Sequence, residues 1–558
     1  MTSVPASRSP AATLAAVLEA VAALPDLSPQ RRQNMASAAR TVGRLLGRPL
    51  EAIPADPQLL SRRLEEVAPE AAGITRERWA NVRSLLRAAL ALTRPMLPGR
   101  QSQPLSPNWQ TLYDRLPSTS RRMRLSRLLR YLSGLGVEPG LMTEAHGVVF
   151  RKVLKEETFL KHPDATWRDV VWAWNRSREE VPGWPDVTFA FERRQQTYGL
   201  PWTSFPPSLK ADADRYLDRL AGSDLTEDVP FRPVRPATRQ LRERQLRTFA
   251  SAQVQRGRDP TTLRSLADLV ALDTLRNGLR FFLERRGGKS SSSILDLARA
   301  LKAVARYWVK VDTATLDAMS AIIRRLATGR RGMTAKNRDR LRPLDDPGIR
   351  HALVSLPPRL MRMADSNRLR QKPAALLAQT AVALEILLMA PMRIQNLVHL
   401  DIERHLVRPA RTRGALHIVI PGGEVKNGNE LDYPLPQESA ALIGRYLERH
   451  RPVLTTTGTR ALFPGTAGGA KSASTLRVQI IKAVFRFVGI KVNPHLFRHI
   501  GVKLHLDQNP GEHAVVTRAL GNRSIDITAA HYAGLETAAA VRHFDKTILS
   551  LRHGDLKT

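Results

Sequence analysis

Three short segments in the C-terminal half of this 558-residue chain carry side chains suited to handling phosphate. In PMRIQNLVHL (391–400), Arg393 follows directly on a long apolar run. An arginine there either snorkels at a helix end or is held rigidly against an anion. In NPHLFRH (493–499), Asn493-Pro494 is a good helix start, with proline in the first turn. His495 and Arg498 then lie three apart on one helix face, an imidazole and a guanidinium presented to the same point. That pair suits a phosphate, because Arg grips two oxygens in a fork and His donates or shuttles a proton. In ALGNRSIDITAAHYAG (519–534), Leu520-Gly521 ends a helix and Tyr532 follows. A tyrosine hydroxyl is a poor nucleophile at its ordinary pKa of about 10 and needs cationic neighbours. Taken singly, each segment is better read blandly: a snorkelling arginine, a chance His-x-x-Arg, a half-buried tyrosine.

The charge says what such residues would act on. Lys and Arg number 87 against 51 Asp and Glu, a net charge of +36. A chain this basic sits on a polyanion, and nucleic acid is the simplest one, with a membrane surface as the competitor. There are no cysteines, which excludes disulfides, a thiolate nucleophile, Fe–S clusters and cysteine-ligated zinc. Apolar residues at 42% and charged residues at 25% are ordinary for a packed protein. The glycines at 287–288 and 465–469 lack a phosphate-loop pattern, which disfavours an ATPase. Paired carboxylates for a two-metal nuclease are not evident in these segments. His495, His499, His505, His513 and His531 cluster in sequence without the acid pattern of a metal site, and His499 reads as structural.

The elements that must position these residues read as mostly helical. Residues 1–100 form an N-terminal helical region, with Leu14, Val17, Leu18 and Val21 at helical spacing and an amphipathic helix rather than a signal peptide at the start. A second helical module over 101–230 holds a basic helix (121–136) and Trp167, Trp172, Trp174 and Trp184, core residues in preference to base-stacking ones. The segment 181–207 drapes over it, and three prolines make 228–236 a linker. Residues 231–335 are a third helical unit, with Gly287-Gly288 as a helix stop, and the basic run 324–342 reads as a linker or a phosphate-facing surface. The unit at 343–558 opens on a core helix over 373–392, too rich in Gln379, Thr380 and Glu385 to span a membrane. LHIVI (416–420), EVK (424–426) before Asn427-Gly428, and LDYPLP (431–436) predict a hairpin at the Asn-Gly pair. The fold class expected is therefore mainly α and multidomain, with a small antiparallel β-sheet in the last unit.

Taken in order, Arg393, the hairpin Lys426, His495-x-x-Arg498, Leu520-Gly521 and Tyr532 resemble the tyrosine recombinase (phage integrase) family. The likeness is specific over about 345–545 and looser over 238–326. It implies a helical SAM-like core-binding domain at 231–335 and a catalytic domain at 343–558. It implies that Arg393 and Arg498 clamp the non-bridging oxygens of a DNA phosphate and that Tyr532 attacks phosphorus to give a 3′-phosphotyrosyl link. Lys426 protonates the leaving 5′-oxygen, His495 assists proton transfer or holds the phosphate, and Asn522 adds a hydrogen bond. No cofactor or metal is implied. The implied partners are double-stranded DNA attachment sites, a homotetramer on paired sites, and partner recombinases or directionality factors, with no membrane. The implied setting is the bacterial cytoplasm, at the nucleoid when bound to DNA.

The sequence departs from the family pattern at two positions. Asn396 stands where an acid is usual and Asn522 where His or Trp is usual, and the step from Asn522 to Tyr532 is one residue long, which puts His531 at the usual distance. The leading expectation is a recombinase that integrates or excises a mobile element. The others are a type IB topoisomerase-like or dimer-resolving enzyme, and a DNA-binding accessory homologue impaired in catalysis. The helix expected over 536–552 packs either on a neighbouring protomer or on its own domain.

Overall fold

In the computed structural model the described residues are 13–93, 103–160, 162–190, 198–222, 233–327, 332–366, 368–408, 415–425, 428–455, 458–466, 468–521, 524–532, 541, 544–545 and 548–552. They fall into two compact units, one of Met1–Phe191 with Arg331–Thr558 and one of Glu192–Arg330.

Short capping signals start the N-terminal helices. Ser28, Asp56 and Thr75 stand just before Pro29–Leu46, Pro57–Leu64 and Arg76–Ala91, and each side chain accepts from a first-turn N–H. Pro29 and Pro57 follow two of them, where a missing N–H costs nothing. Leu14, Val17 and Val21 of Leu14–Ala22 are buried with Met35, Val42 and Leu90. The next group comprises Pro107–Asp114, Thr119–Gly134, Glu144–Glu156 and Pro163–Glu180. Its core holds Trp109, Trp167, Trp174 and Trp184, joined by Val181 and Phe189 from the draping segment. The indole N–H groups of Trp109 and Trp174 donate to the carbonyls of Val137 (2.7 Å) and Val187 (2.8 Å). Trp172 is not a core residue; it is exposed, with the Arg124 guanidinium 4.9 Å from its ring centre.

In the second unit the helix Pro207–Leu220 packs with Pro236–Gln255, Leu272–Glu284, Ser292–Val304 and Thr313–Leu326. The sequence reading puts 207–220 in the preceding module, so the structure moves that boundary. The reason is the apolar face of Leu209, Ala213, Tyr216 and Leu217, which is buried with Phe249, Leu275 and Leu301. Asp212 on the same helix accepts from the Leu266 N–H (2.8 Å) and the Trp308 indole (3.1 Å). Gly287 and Gly288 follow Leu272–Glu284 with φ of 61° and 79°, left-handed backbone that stops the helix as expected. The basic run at 324–342 is not a plain linker: Arg324 and Arg325 end one helix and Thr334 caps another, Ala335–Leu341. Most of the expected 228–236 linker lies outside the described residues.

The C-terminal part of the first unit is built around Gln371–Met389, buried over most of its length. It is long and apolar enough to cross a membrane, but it is packed in the protein core. Its buried Glu385 accepts from the Ser439 hydroxyl at 2.5 Å, and burial pushes that carboxyl above the usual carboxylate range. Around it lie Leu356–Asp365, Ala473–Val488, Leu496–Gln508, His513–Ala519 and Ile525–Tyr532. The sheet is antiparallel, in the order β1 (Leu406–Val407), β2 (Leu416–Ile420), β3 (Leu431–Leu435). The β2–β3 register runs from Leu416↔Leu435 to Ile420↔Leu431, so the connection spans 421–430 and is not a two-residue Asn-Gly turn. Pro421 cannot donate to the ladder, and Gly422–Glu424 turns into a short 3₁₀ helix instead of the expected strand. Glu424 is drawn out to pair with Arg404 and His405. The Gly422 Cα packs against the Gly428 carbonyl, where a Cβ would come within 2.5 Å of the oxygen. The strand β1 has no counterpart in the sequence reading.

Candidate active site

Arg393, Arg498 and Tyr532 each sit at the end of an element. Arg393 is the residue before the short helix Ile394–Val398, in extended backbone, and is half-buried. Arg498 is in the first turn of Leu496–Gln508, whose N-cap position is His495, so Pro494 precedes the helix and does not open its first turn; Asn493 Oδ1 still accepts from the Leu496 N–H at 3.1 Å. Tyr532 closes Ile525–Tyr532. Lys426 and Asn522 lie outside the described residues, as does the side chain of His531.

The Arg498 guanidinium is 5% exposed and bridges two distant backbone carbonyls, donating to Pro391 O at 2.7 Å and Leu520 O at 2.8 Å. It therefore ties the loop before Arg393 to the turn before Tyr532. Burial lowers its pKa, and the like charge of Arg393 lowers it further. The turn itself depends on Gly521, with φ of 60° and its Cα packed against Leu431 of β3.

Tyr532 is buried, and its hydroxyl is 2.9 Å from Nδ1 of His499. Burial pushes its pKa up to about 12, with the Arg498 charge working in the opposite direction. His499 is thus a neighbour of the tyrosine hydroxyl, where the sequence reading had a structural residue. His495 is exposed at the N-terminus of the helix, its ring 5.3 Å from that of His499. Consequently the two members of His495-x-x-Arg498 differ in environment, one open to solvent and one sealed in. His505 is turned to Glu512, at 2.8 Å. Among the described residues no three His, Asp or Glu side chains gather as metal ligands.

Two further buried polar groups flank the arginines. Among the described residues the Asn396 amide nitrogen has no hydrogen-bond partner, and the Tyr433 hydroxyl on β3 has none. Tyr433 was missed in the sequence, although the alternation of LDYPL puts it on the inward face with Leu431 and Leu435. A tyrosine in an otherwise aliphatic inward set was the available signal. Together the two guanidinia form a positive centre lined by a phenol and an imidazole, an arrangement able to hold a phosphate diester and to act on it.

The second compact unit supplies a different feature. Its described residues hold 22 Lys and Arg against 11 Asp and Glu. A cavity of about 570 Å³ there is lined by Arg242, Arg244 and Arg299 with Tyr198 and Phe282.

The segment that contains the two arginines and the tyrosine is a mostly helical domain with a small antiparallel sheet. Residues 358–538 match the phage integrase family. Three similar solved structures are recombinases. One is the XerA recombinase, 15% identical, covering 61% of this chain and 98% of that one with a TM-score of 0.25. Another is the XerH site-specific recombinase bound to palindromic difH substrate, at 14%, 61%, 94% and 0.34. A third is a lambda integrase dimer bound to a COC′ core site, at 14%, 60%, 79% and 0.35. No curated protein matches the chain. At these identities and scores the family assignment rests on the matched segment.

Proposed function

We propose that the chain is a site-specific DNA recombinase that breaks and rejoins strands through a 3′-phosphotyrosyl intermediate, as the integrase of a mobile element. The observation that carries this reading is the cluster of half-buried Arg393 with buried Arg498 and Tyr532, drawn together from three parts of the segment that matches the phage integrase family. The arginines hold the non-bridging oxygens of a DNA phosphate, where negative charge grows during displacement. Tyr532 Oη attacks phosphorus, the bond to the 5′-oxygen breaks, and Lys426 gives that oxygen a proton. His495 and Asn522 complete the hydrogen bonds to the phosphate. Religation is the reverse step with another strand's 5′-hydroxyl, so the bond energy is kept and no ATP is needed.

Duplex DNA is the partner, and the basic 198–327 unit, including Pro207–Leu220, is its core-binding domain. Affinity drawn from Lys and Arg on phosphates falls steeply with salt. The described residues of 536–552 are helical, and Val541, Phe544, Ile548, Leu549 and Leu551 are exposed apolar residues. Their exposure fits packing on a neighbouring copy in a tetramer on paired sites.

The test is covalent trapping. The full chain is mixed, in EDTA, with nicked duplexes made from the DNA that flanks its own coding sequence, so that the cleaved strand is lost. The expected result is a protein–DNA band on a denaturing gel from wild type and none from Tyr532→Phe. A duplex retained in a gel shift without any such band would overturn the enzyme and leave a DNA-binding accessory homologue.

A further inference from the structure

We propose that Tyr433 is an additional catalytic residue of this site, its hydroxyl donating a hydrogen bond to the same DNA phosphate that Arg393 and Arg498 hold. The inference rests on the recombinase reading above.

Tyr433 is 8% exposed, and its Oη is buried with no hydrogen-bond partner among the described residues. Native proteins leave few buried hydroxyls in that condition, since an unmade hydrogen bond is unfavourable. The position of the strand explains where the hydroxyl belongs. Leu431, two residues earlier on the same inward face of β3, packs on Gly521. The carbonyl just before that glycine, Leu520 O, holds the Arg498 guanidinium. β3 is therefore wedged against the turn that fixes Arg498, and Tyr433 is the polar group that the strand adds there. Burial pushes the phenol pKa up, and the charges of Arg498 and Arg393 both act against that rise.

The chemistry of these neighbours makes the missing partner an anion. A guanidinium has only donors, so neither arginine can accept from the Tyr433 hydroxyl. Arg393 and Arg498, whose charges act on Tyr433, are donors too, so a phosphate oxygen is an acceptor that all three side chains can share. The phenol then contributes what a donor in an oxyanion hole contributes: a hydrogen bond that shortens as charge develops on the oxygen. The substitution of an aliphatic residue at this inward position would keep the sheet and lose the donor.

The experiment compares wild type with Tyr433→Phe in single-turnover adduct formation on the nicked duplexes, with a gel shift and a thermal melt alongside. The variant is expected to form the adduct about 100-fold more slowly, as when one oxyanion donor is deleted, with DNA retention unchanged. It is expected to melt no lower than wild type, because the deleted oxygen has no partner in the unliganded protein. Adduct formation at the wild-type rate overturns the inference and leaves the recombinase reading intact. A slow adduct accompanied by a lowered melting midpoint also overturns it, since the hydroxyl would then be structural. If wild type forms no adduct, the recombinase reading fails and takes this inference with it.

Discussion

The Tyr532 hydroxyl and Nδ1 of His499 lie 2.9 Å apart with both side chains buried. The phenol, with its pKa pushed up to about 12, is protonated at neutral pH, and in the proposed reaction its proton has to leave as the oxygen attacks. His499 is within hydrogen-bond reach of that proton. The expected consequence is that His499→Ala slows adduct formation about 100-fold near neutrality. Below about 12 the phenolate fraction rises tenfold per pH unit, so the variant's rate should climb steadily with pH while the wild-type rate climbs less. Single-turnover rates from neutrality to about pH 10 check this. Wild-type rates and pH dependence in His499→Ala would exclude the imidazole as proton acceptor.

Arg393 and Arg498 should separate when stability is measured beside activity. Both substitutions to alanine are expected to abolish the adduct. Arg498→Ala also strands the carbonyls of Pro391 and Leu520 in a buried region, at a cost of about 2–5 kcal/mol in urea unfolding. Arg498→Lys keeps the charge but not the fork, and should recover only part of that loss. Arg393 is half-buried at a helix start, and its replacement should cost distinctly less. Equal losses of stability would show that the bridge made by Arg498 is not what fixes the two loops.

What the sequence disclosed is largely what is local. The Asn493 contact at a helix start, a stop such as Gly287-Gly288, the three-residue step from His495 to Arg498 and the helix end at Leu520-Gly521 are set within a few residues, and the structure has them. The carbonyls gripped by Arg498 stand 107 and 22 residues away, so no spacing rule gives them. The burial of Arg498 against the exposure of His495 is likewise a tertiary fact. The hairpin was misread because Asn427-Gly428 is a strong two-residue signal only when the ladder reaches it. Here the ladder closes at Ile420↔Leu431, and Pro421 and the Glu424 ion pairs take the chain out of the sheet. Pro207–Leu220 was assigned to the wrong side of a boundary for a similar reason: an apolar face announces that it needs a partner without saying which.

Gly521 is the residue at which a single methyl group should disturb the site. Alanine there meets φ of 60° and a Leu431 Cδ2 at 2.5 Å. The expected cost is about 1–3 kcal/mol, from strained backbone and overpacking together. Since the preceding carbonyl holds Arg498, adduct formation should slow as well. In a Leu431→Ala background the packing share of the cost should disappear and the backbone share remain, a coupling that a double-mutant cycle in urea measures. Purely additive losses would mean that Leu431 yields without resistance and that the left-handed backbone alone requires glycine.

Lys471 offers a test of the core that is independent of DNA. Its ammonium is buried beside Gln371–Met389 and donates to Gln379 and, at 2.9 Å, to Gln479, with amides and not carboxylates as acceptors. Gln379 in turn donates to the Tyr446 hydroxyl (3.3 Å), which donates to Leu462 O (3.0 Å). Burial lowers the Lys471 pKa to about 8 from an ordinary 10.5. Between those two values the unfolded chain binds the proton and the folded chain releases it, so stability rises with pH across the window. Below about 8 both states are protonated and the full cost of the buried charge is felt. Wild type should therefore gain melting temperature from about pH 8 to about pH 10, a gain that Lys471→Met lacks. Tyr216 and Tyr532, with pKa pushed up to about 12, lower stability only above their ordinary 10 and leave this window clear. Parallel curves for wild type and Lys471→Met over the window would show that Lys471 keeps its proton on folding.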